Sequence, residues 1–348
     1  MLNNLNNLNN LNMSKKIAIN GFGRIGRIFF RQAFDNPDVE IVAVNDLGMP
    51  DNLAYLLKYD TVYHRYDKQV EIKGKDLVVG GKTIQVFQEV DPSNLPWGKL
   101  GVDIVVESTG IFDTRDKASA HLTAGAKRVV ITQPTHDDVT PTATPNVGVQ
   151  DLAKDVITSN ASCTTNCVNP VMAVMIQGVG IKKAVLSTVH AYTATQSLVD
   201  GPDKKGDFRR ARAAAQNIVP STTGAAKATT QVITDLKNKF DGVALRVPVA
   251  SGSIIDVTFV AERKTSVEEI NDIFRKAAAS PEWQGILQVT EEQLVSSDVL
   301  GNPCGSLVDL QLTRVVDGDL VKVFSWYDNE WGYSAMLLRH VLQVSKLI

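Results

Sequence analysis

The first half of the chain alternates short apolar runs with stretches of helical periodicity. Four runs are rich in β-branched residues and scarcely broken by polar ones, at Lys16–Asn20, Val39–Asn45, Val102–Glu107 and Arg128–Thr132. Such runs are typical of strands that are buried on both faces of a sheet. Helical stretches separate them, for example at Arg27–Asp35 and Lys117–Ala124. Strands joined by helices favour parallel pairing, so the pattern predicts a doubly wound parallel sheet.

The pattern changes after Cys163. Longer strands with more alternation follow, at Lys183–His190, Val243–Val249, Ser253–Glu262 and Leu320–Trp326. They indicate a mostly antiparallel sheet with helices on one face. Between the first two of these strands, Ala191–Gln216 lacks apolar periodicity, and a loop of that length is usually functional or lies at an interface. The final stretch, Ser334–Ile348, has the periodicity of an amphipathic helix.

These patterns predict an α/β protein with two domains. We expect residues 13–162 to form the doubly wound domain and residues 163–333 to form an α+β domain. The helix at 334–348 is expected to return to the first domain. Residues 1–12 repeat a Leu-Asn-Asn triplet without a basic region or an apolar core. They are therefore expected to be a disordered extension rather than a signal peptide.

Composition and charge narrow the class of protein. The chain has 348 residues, of which 44% are hydrophobic and 21% charged, and its net charge is −2. This balance provides no general attraction to nucleic acid or to an anionic membrane, and no apolar run reaches the roughly 18 residues that span a bilayer. The three cysteines are too few for a disulfide framework and suit a reducing compartment. We therefore expect a cytoplasmic protein without nucleic-acid or membrane partners.

A glycine motif follows the first predicted strand and opens the first helix. Gly21, Gly23 and Gly26 have the spacing Gly-x-Gly-x-x-Gly, which allows a tight turn, the approach of a pyrophosphate, and close packing of helix on strand. Asp46 ends the second strand, roughly 20 residues later, where a carboxylate binds the adenosine ribose and repels the extra phosphate of NADP. The motif predicts a Rossmann-type domain that binds NAD. A tight turn that binds nothing is the alternative.

The segment Ser159–Cys167 contains the strongest candidate for a catalytic group. Cys163 follows a short strand and precedes a helix-compatible run, Val168–Gln177. It is therefore expected at a helix N-terminus, where the dipole favours the thiolate. His190, at the end of a strand, is the candidate base that would lower the thiol pKa and accept a proton. A buried structural cysteine is the alternative for Cys163.

The other histidines and cysteines are assigned no catalytic role. Four histidines in polar or helical surroundings are expected on the solvated surface: His64, His121, His136 and His340. Cys167, one helical turn after Cys163, is expected to be structural, and Cys304 to be incidental. No second set of ligands completes a zinc site, so no metal is expected.

Two polar features point to anion binding. Arg246 lies in the apolar run Val243–Pro248, where an unpaired guanidinium is costly and where its fork geometry suits a phosphate. An arginine that reaches solvent from an edge strand is the alternative. Ser221–Gly224 leads into a helix and offers hydroxyls and amides of the kind that bind anions.

These segments resemble a known family. Ser-Asn-Ala-Ser-Cys-Thr-Thr-Asn-Cys at 159–167 is similar almost letter for letter to the active-site signature of glyceraldehyde-3-phosphate dehydrogenases. The likeness extends over nearly the whole chain after Met13. It includes Ala18–Arg27, Glu107–Phe112, His190–Gln196, Arg209–Ala228, Leu245–Pro248 and Ser325–Ser334.

The resemblance implies a role for individual residues. Cys163 corresponds to the nucleophile, and His190 to the group that activates it. Two anion sites, for the substrate phosphate and for inorganic phosphate, would be formed by Ser162, Thr164, Thr193, Thr223, Gly224 and Arg246. Besides the glycine motif, the cofactor contacts would be Arg24, Ile25, Asp46, Thr132, Asn329 and Tyr333. Asn329 would hold the nicotinamide carboxamide, with Tyr333 beside the ring.

The resemblance also implies a reaction of glycolysis. Cys163 adds to the aldehyde of glyceraldehyde 3-phosphate, and hydride passes to NAD while His190 accepts a proton. Inorganic phosphate then cleaves the thioester to give 1,3-bisphosphoglycerate. A homotetramer is implied, with Ala191–Gln216 near a neighbour's cofactor. An erythrose-4-phosphate dehydrogenase is an alternative, although Thr223–Lys227 favours the triose enzyme. The other alternative is a redox-sensing or interaction protein that has lost catalytic turnover.

Three segments depart from the family pattern. Val90 stands where many relatives have an arginine near the adenine, so one cofactor contact is in doubt. Thr135–Val147 is rich in Thr and Pro, and Pro202–Arg209 is slightly longer than in close relatives. The preference for NAD depends on Asp46 with its neighbour Leu47, and on Pro202.

Overall fold

Two β-sheets organise the part of the chain that the computed structural model describes, residues 14–202 and 206–348. The first contains β1 (Lys15–Asn20), β2 (Val39–Asn45), β3 (Val70–Lys73), β4 (Asp76–Val79), β5 (Lys82–Phe87), β6 (Ile104–Glu107), β7 (Arg128–Ile131) and β8 (Ile157–Ser159). Their order is β3-β4-β5-β2-β1-β6-β7-β8. The prediction for residues 1–12, and residues 203–205 of the long loop, lie outside the described residues.

The first sheet is parallel from β5 to β8, as predicted, because helices connect these strands. The strands β3, β4 and β5 pair antiparallel and were not predicted. They are short, four to six residues each, and β3 and β5 carry exposed polar residues between their apolar ones, so none forms an unbroken apolar run in the sequence. A doubly wound, Rossmann-type sheet is thereby confirmed.

The second sheet is mixed. It contains β9 (Ile181–Ala191), β10 (Val219–Thr222), β11 (Phe240–Val247), β12 (Ser253–Ala261), β13 (Leu287–Thr290), β14 (Ser306–Val316) and β15 (Leu320–Tyr327), in the order β10-β11-β9-β12-β15-β14-β13. All neighbours pair antiparallel except β11 with β9 and β13 with β14. The prediction of a mostly antiparallel sheet is confirmed.

Helices cover both sheets. They are α1 (Arg24–Ala33), α2 (Pro50–Lys58), α3 (Trp97–Leu100), α4 (Arg115–Ala118), α5 (Ala120–Thr123), α6 (Cys163–Val179), α7 (Ala225–Val232), α8 (Val267–Ala279) and α9 (Trp331–Ser345). None of the described helices is long and apolar enough to cross a membrane. The loop between β9 and β10 contains no helix or strand among its described residues, as expected.

Two connections place the candidate site. The segment between β8 and α6 leads from the first sheet to the second, and α6 packs in the core of the second sheet through buried residues such as Val171 and Met175. The helix α9 brings the chain back from the second sheet to the first. Its residues Leu337, Val341 and Val344 are fully buried in the core that lies between α1 and the first sheet. Both sheets therefore contribute to the surroundings of the turn before α6.

Candidate active site

The turn between β8 and α6 places Cys163 at the start of a helix, as predicted. Ser162 caps α6, because its Oγ accepts a hydrogen bond from the backbone N–H of Thr165 at 3.1 Å. Ala161 has a φ of 57°, a left-handed conformation that is costly for a residue with a Cβ. The chain thus turns sharply before Cys163, whose side chain is only partly buried.

His190 faces this cysteine from the end of β9. Its Nε2 lies 3.3 Å from Cys163 Sγ. Its Nδ1 lies 2.6 Å from the carbonyl oxygen of Ala191 and 2.6 Å from Nη1 of Arg246. Nη1 only donates, so Nδ1 cannot form hydrogen bonds to both atoms. Because Arg246 has another acceptor in the same carbonyl, at 3.1 Å, we assign the proton of Nδ1 to the Ala191 carbonyl, and the approach of Nη1 to Nδ1 is then a contact between two donors. This tautomer leaves Nε2 as an acceptor that faces the thiol.

Burial shifts the pKa values of both members of the pair toward their neutral forms. Burial lowers the pKa of His190 to about 3, and the positive charge of Arg246 contributes to the shift. Burial also raises the pKa of the Cys163 thiol, against the opposing effects of the Arg246 charge and the backbone N–H of Thr164. The predicted lowering of the thiol pKa is therefore wrong here, because desolvation of the charged form outweighs the helix dipole. The proton must pass from Sγ to Nε2 as the thiol reacts.

Arg246 brings a buried positive charge to this pair. It lies on β11, which has β10 on one side and β9 on the other, so the edge-strand alternative is wrong. Its Nε is buried and has no hydrogen-bond partner among the described residues. A guanidinium with an unsatisfied N–H beside a nucleophile is suited to an anionic ligand.

The remaining predicted anion residues form two groups. Thr164 lies at the nucleophile, where its Oγ1 is 3.0 Å from the hydroxyl of Tyr327. Tyr327 was not predicted; its ring packs edge-on against His190. Thr193, Thr223 and Gly224 lie in the second group, near the start of α7: Gly224 is the residue before that helix, and Thr223 Oγ1 accepts the Ala225 N–H at 3.2 Å.

Arg210 connects the second group to the first and was missed in the sequence. Its Nε donates to Ser221 Oγ at 2.8 Å, and its Nη1 lies 3.4 Å from Oγ1 of Thr195, which bonds to Thr193. Its positive charge contributes to the lowered pKa of His190. The only local signal was the pair of arginines in a loop without periodicity, which does not distinguish a ligand from a solvated side chain.

A cleft of about 400 Å³ opens at the glycine motif. Gly21 has a φ of 90°, and a Cβ at Gly26 would lie 2.2 Å from the carbonyl oxygen of Gly21, so both positions require glycine. A Cβ at Gly23 would instead meet no atom within 4 Å. Gly23 precedes α1, and no side chain caps this helix. Open space therefore lies in front of free backbone amides, including that of Ile25 in the first turn.

The far end of the cleft contains Asp46. Its carboxylate accepts the backbone N–H groups of Phe22 and Gly48, at 2.7 and 2.8 Å, which fixes it at the cleft wall. Leu47 and Val90 also line the cleft and are largely exposed there. Val90 thus places an apolar side chain in the wall of the cleft.

The side chain of Arg24 is already paired with two carboxylates. The guanidinium forms ion pairs with Asp60 and Glu330, and its Nε donates to Glu330 Oε1 at 2.9 Å. A cofactor contact of Arg24 is therefore expected from its backbone N–H rather than from its side chain. Glu330 follows Asn329, so this ion pair connects the start of α1 with the other end of the predicted cofactor site.

Asn329 and Tyr333 lie near the nucleophile turn. Asn329 Oδ1 accepts from the Gly252 N–H at 3.1 Å and from Ser253 Oγ at 2.8 Å, whereas its Nδ2 has no partner among the described residues. The Tyr333 hydroxyl lies 2.6 Å from the carbonyl oxygen of Thr132 and 3.2 Å from that of Ala161. The structure thus brings Thr132, Tyr333 and the cysteine turn together.

Two of the four histidines expected at the surface are buried. His64 and His136 are exposed, as predicted. His121 is fully buried: Trp97 Nε1 donates to its Nδ1 at 3.1 Å, so its Nε2–H donates to Glu107 at 2.9 Å. His340 is fully buried on α9, where burial lowers its pKa to about 4. The surface prediction is wrong for both because polar partners distant in sequence satisfy the ring nitrogens.

The two other cysteines lie in the core. Cys167 is fully buried beside Ser306 and the carbonyl of Ser325, and burial raises the pKa of its thiol to about 12. Cys304 is also buried. Within residues 14–202 and 206–348, no group of three or more His, Cys, Asp or Glu side chains has a metal-binding arrangement.

Two family models match the chain. Residues 15–115 match the NAD binding domain of glyceraldehyde 3-phosphate dehydrogenase, and residues 162–329 match its C-terminal domain. The chain is 51% identical over 323 residues to the glyceraldehyde-3-phosphate dehydrogenase of Geobacillus stearothermophilus, covering 92% of this chain and 96% of the relative. It is 49% identical over 328 residues to that of Streptomyces coelicolor, covering 94% and 97%. The chain belongs to the glyceraldehyde-3-phosphate dehydrogenase family.

Proposed function

We propose that the chain oxidises glyceraldehyde 3-phosphate with NAD and inorganic phosphate to give 1,3-bisphosphoglycerate. The observation that carries this proposal is the pairing of Cys163 Sγ with His190 Nε2 at 3.3 Å, beside the partly unsatisfied guanidinium of Arg246. This pair supplies a nucleophile and a base, and the arginine supplies a site for a phosphate. The enzyme is thus an NAD-dependent oxidoreductase that acts on an aldehyde.

The proton path follows from the neutral pair. The Cys163 proton passes to Nε2 of His190 as Sγ adds to the aldehyde carbon, and Nε2 then returns it to the new hydroxyl. When the resulting hemithioacetal is oxidised, Nε2 accepts the hydroxyl proton, and a thioester remains on Cys163. Phosphate oxygen attacks this thioester and Sγ leaves. The backbone N–H groups at the start of α6 would face the oxygen that becomes negative in these steps.

The cofactor site fits NAD. The open space at Gly23 and the uncapped start of α1 suit a pyrophosphate, with backbone contacts from Arg24 and Ile25. Asp46 would bind the adenosine ribose, and the free Nδ2 of Asn329 would hold the nicotinamide carboxamide beside Thr132 and Tyr333. When bound, NAD supplies the hydride acceptor.

The two anion sites are proposed from the two polar groups. Ser162, Thr164 and Arg246 surround the nucleophile, and Thr193, Thr223 and Gly224 lie beside Arg210. Together these groups would hold the substrate phosphate and the attacking phosphate.

The test is an assay of NADH production by the purified protein, with and without inorganic phosphate. We expect NADH production that depends on phosphate and is lost in Cys163→Ser. NADP and erythrose 4-phosphate are run in parallel. A higher kcat/KM for the tetrose would contradict the substrate assignment, and the absence of any turnover in the native protein would favour a sensing or interaction role.

We also propose a cytoplasmic homotetramer. Leu198, Val199 and Phe208, on the long loop after β9, are largely exposed apolar residues, as expected of a surface that a second subunit covers. A monomeric mass in light scattering would contradict this.

A further inference from the structure

His340 lies beneath the turn that carries the nucleophile. Its ring is fully buried on α9. Nε2 lies 2.9 Å from Thr158 Oγ1, and Nδ1 lies 3.3 Å from Asn160 Nδ2. An amide NH₂ group only donates, so Nδ1 is the acceptor and Nε2 carries the proton, for which Thr158 Oγ1 and the carbonyl of Ala143 are the acceptors. Both partners lie in the last residues before Cys163.

Asn160 connects this histidine to the turn. Its backbone carbonyl and its Oδ1 both accept from Nδ2 of Asn166, at 2.9 and 3.2 Å. The same Nδ2 is 3.0 Å from the carbonyl of Ser162. If the Asn160 amide were reversed, its NH₂ group would face the NH₂ group of Asn166, and the bond between the two side chains would be lost. His340 accepts a hydrogen bond only from the orientation of the Asn160 amide in which Oδ1 faces Asn166.

The turn needs such support because its backbone is strained. Ala161 is left-handed, with a φ of 57°, and is fully buried. A conformation of this kind persists only where surrounding contacts hold it. We propose that His340 is a positioning residue, which orients Asn160 and thereby holds the turn that places Cys163 beside His190. The effect on turnover rests on the proposed function, whereas the position of Cys163 can be measured without substrate.

Three matched variants test this role. His340→Asn keeps an acceptor oxygen near the place of Nδ1, which faces Asn160. His340→Gln places its amide near Nε2, so the contact with Thr158 is kept and that with Asn160 is lost. Thr158→Val removes the other side-chain partner of His340 and leaves the bond with Asn160 in place. The readouts are the rate of Cys163 alkylation by iodoacetamide at pH 7, kcat, KM for NAD, and Tm.

We expect His340→Gln to slow alkylation and kcat about tenfold, because small displacements of a reacting group are costly, with KM for NAD unchanged. His340→Asn should retain both rates, and Thr158→Val should lower Tm without slowing alkylation. Wild-type rates in His340→Gln, or rates that follow Tm across all three variants, would overturn the proposal. Absence of turnover in the native protein would refute the proposed function, and alkylation would still decide the role of His340.

Discussion

The replacement His190→Gln tests whether this histidine is the base. Glutamine reaches a similar position and keeps a polar group near Sγ of Cys163, which is 3.3 Å from Nε2 in the native site. Its amide cannot accept the thiol proton at neutral pH. The burial and the Arg246 charge that lower the pKa of His190 to about 3 make the native imidazole neutral. A bound phosphate would offset the charge of Arg246 and strengthen the base.

The expected loss follows from general base catalysis. A positioned base contributes about 10²–10⁴-fold, which corresponds to roughly 3–5 kcal/mol of barrier. We expect kcat of His190→Gln to fall by that factor in a steady-state assay of NADH production. KM for NAD should change less than about twofold, because none of the residues that line the cleft at the glycine motif contacts His190. A kcat within tenfold of the native value would refute the assignment of His190 as the base.

Three further predictions concern the anion, the cofactor and stability. Arg246→Met should raise KM for the triose phosphate or for phosphate by at least about thirtyfold, because loss of one partner of a buried charge pair costs roughly 2–5 kcal/mol. The control, Arg314→Met on β14, should leave both KM values unchanged. Asp46→Ala should raise kcat/KM for NADP relative to NAD at least about tenfold. The unfolded chain binds a proton at His340 below pH 6.5, and the folded chain only near pH 4. Denaturant titrations should therefore show that the native protein loses about 3 kcal/mol more stability than His340→Asn as pH falls through that window, because His190, whose pKa is also lowered, contributes equally to the loss in both proteins.

Local patterns were sufficient for the features that depend on neighbours in sequence. Gly21 and Gly23 lie between β1 and α1, and Gly26 lies in the first turn of α1, as predicted; the local backbone requires glycine at 21 and 26, whereas Gly23 leaves open space. Cys163 begins a helix for the same reason, since Ser162 is a good capping residue. His190 was proposed as the base from its place at the end of a strand, although 27 residues separate it from Cys163, and the resemblance supported that pairing.

Features that depend on distant partners were missed or misjudged. His121 is satisfied by Trp97 and Glu107, and nothing near it in the sequence indicates either contact. His340 had a usable signal, since it lies three residues after Leu337 and four before Val344, on the apolar stripe of α9. The thiol pKa was misjudged because the helix dipole is visible in the sequence and the degree of burial is not.

The path of α9 has a consequence for synthesis on the ribosome. Leu337, Val341 and Val344 fill the core of the sheet that begins at Lys15. Burial of these three side chains is worth roughly 4–9 kcal/mol, which is comparable to the whole stability of a typical domain. The first sheet therefore emerges early but lacks one wall of its core until α9 is translated. During that interval the nascent chain exposes an apolar surface, and a truncation before Leu337 should aggregate rather than fold.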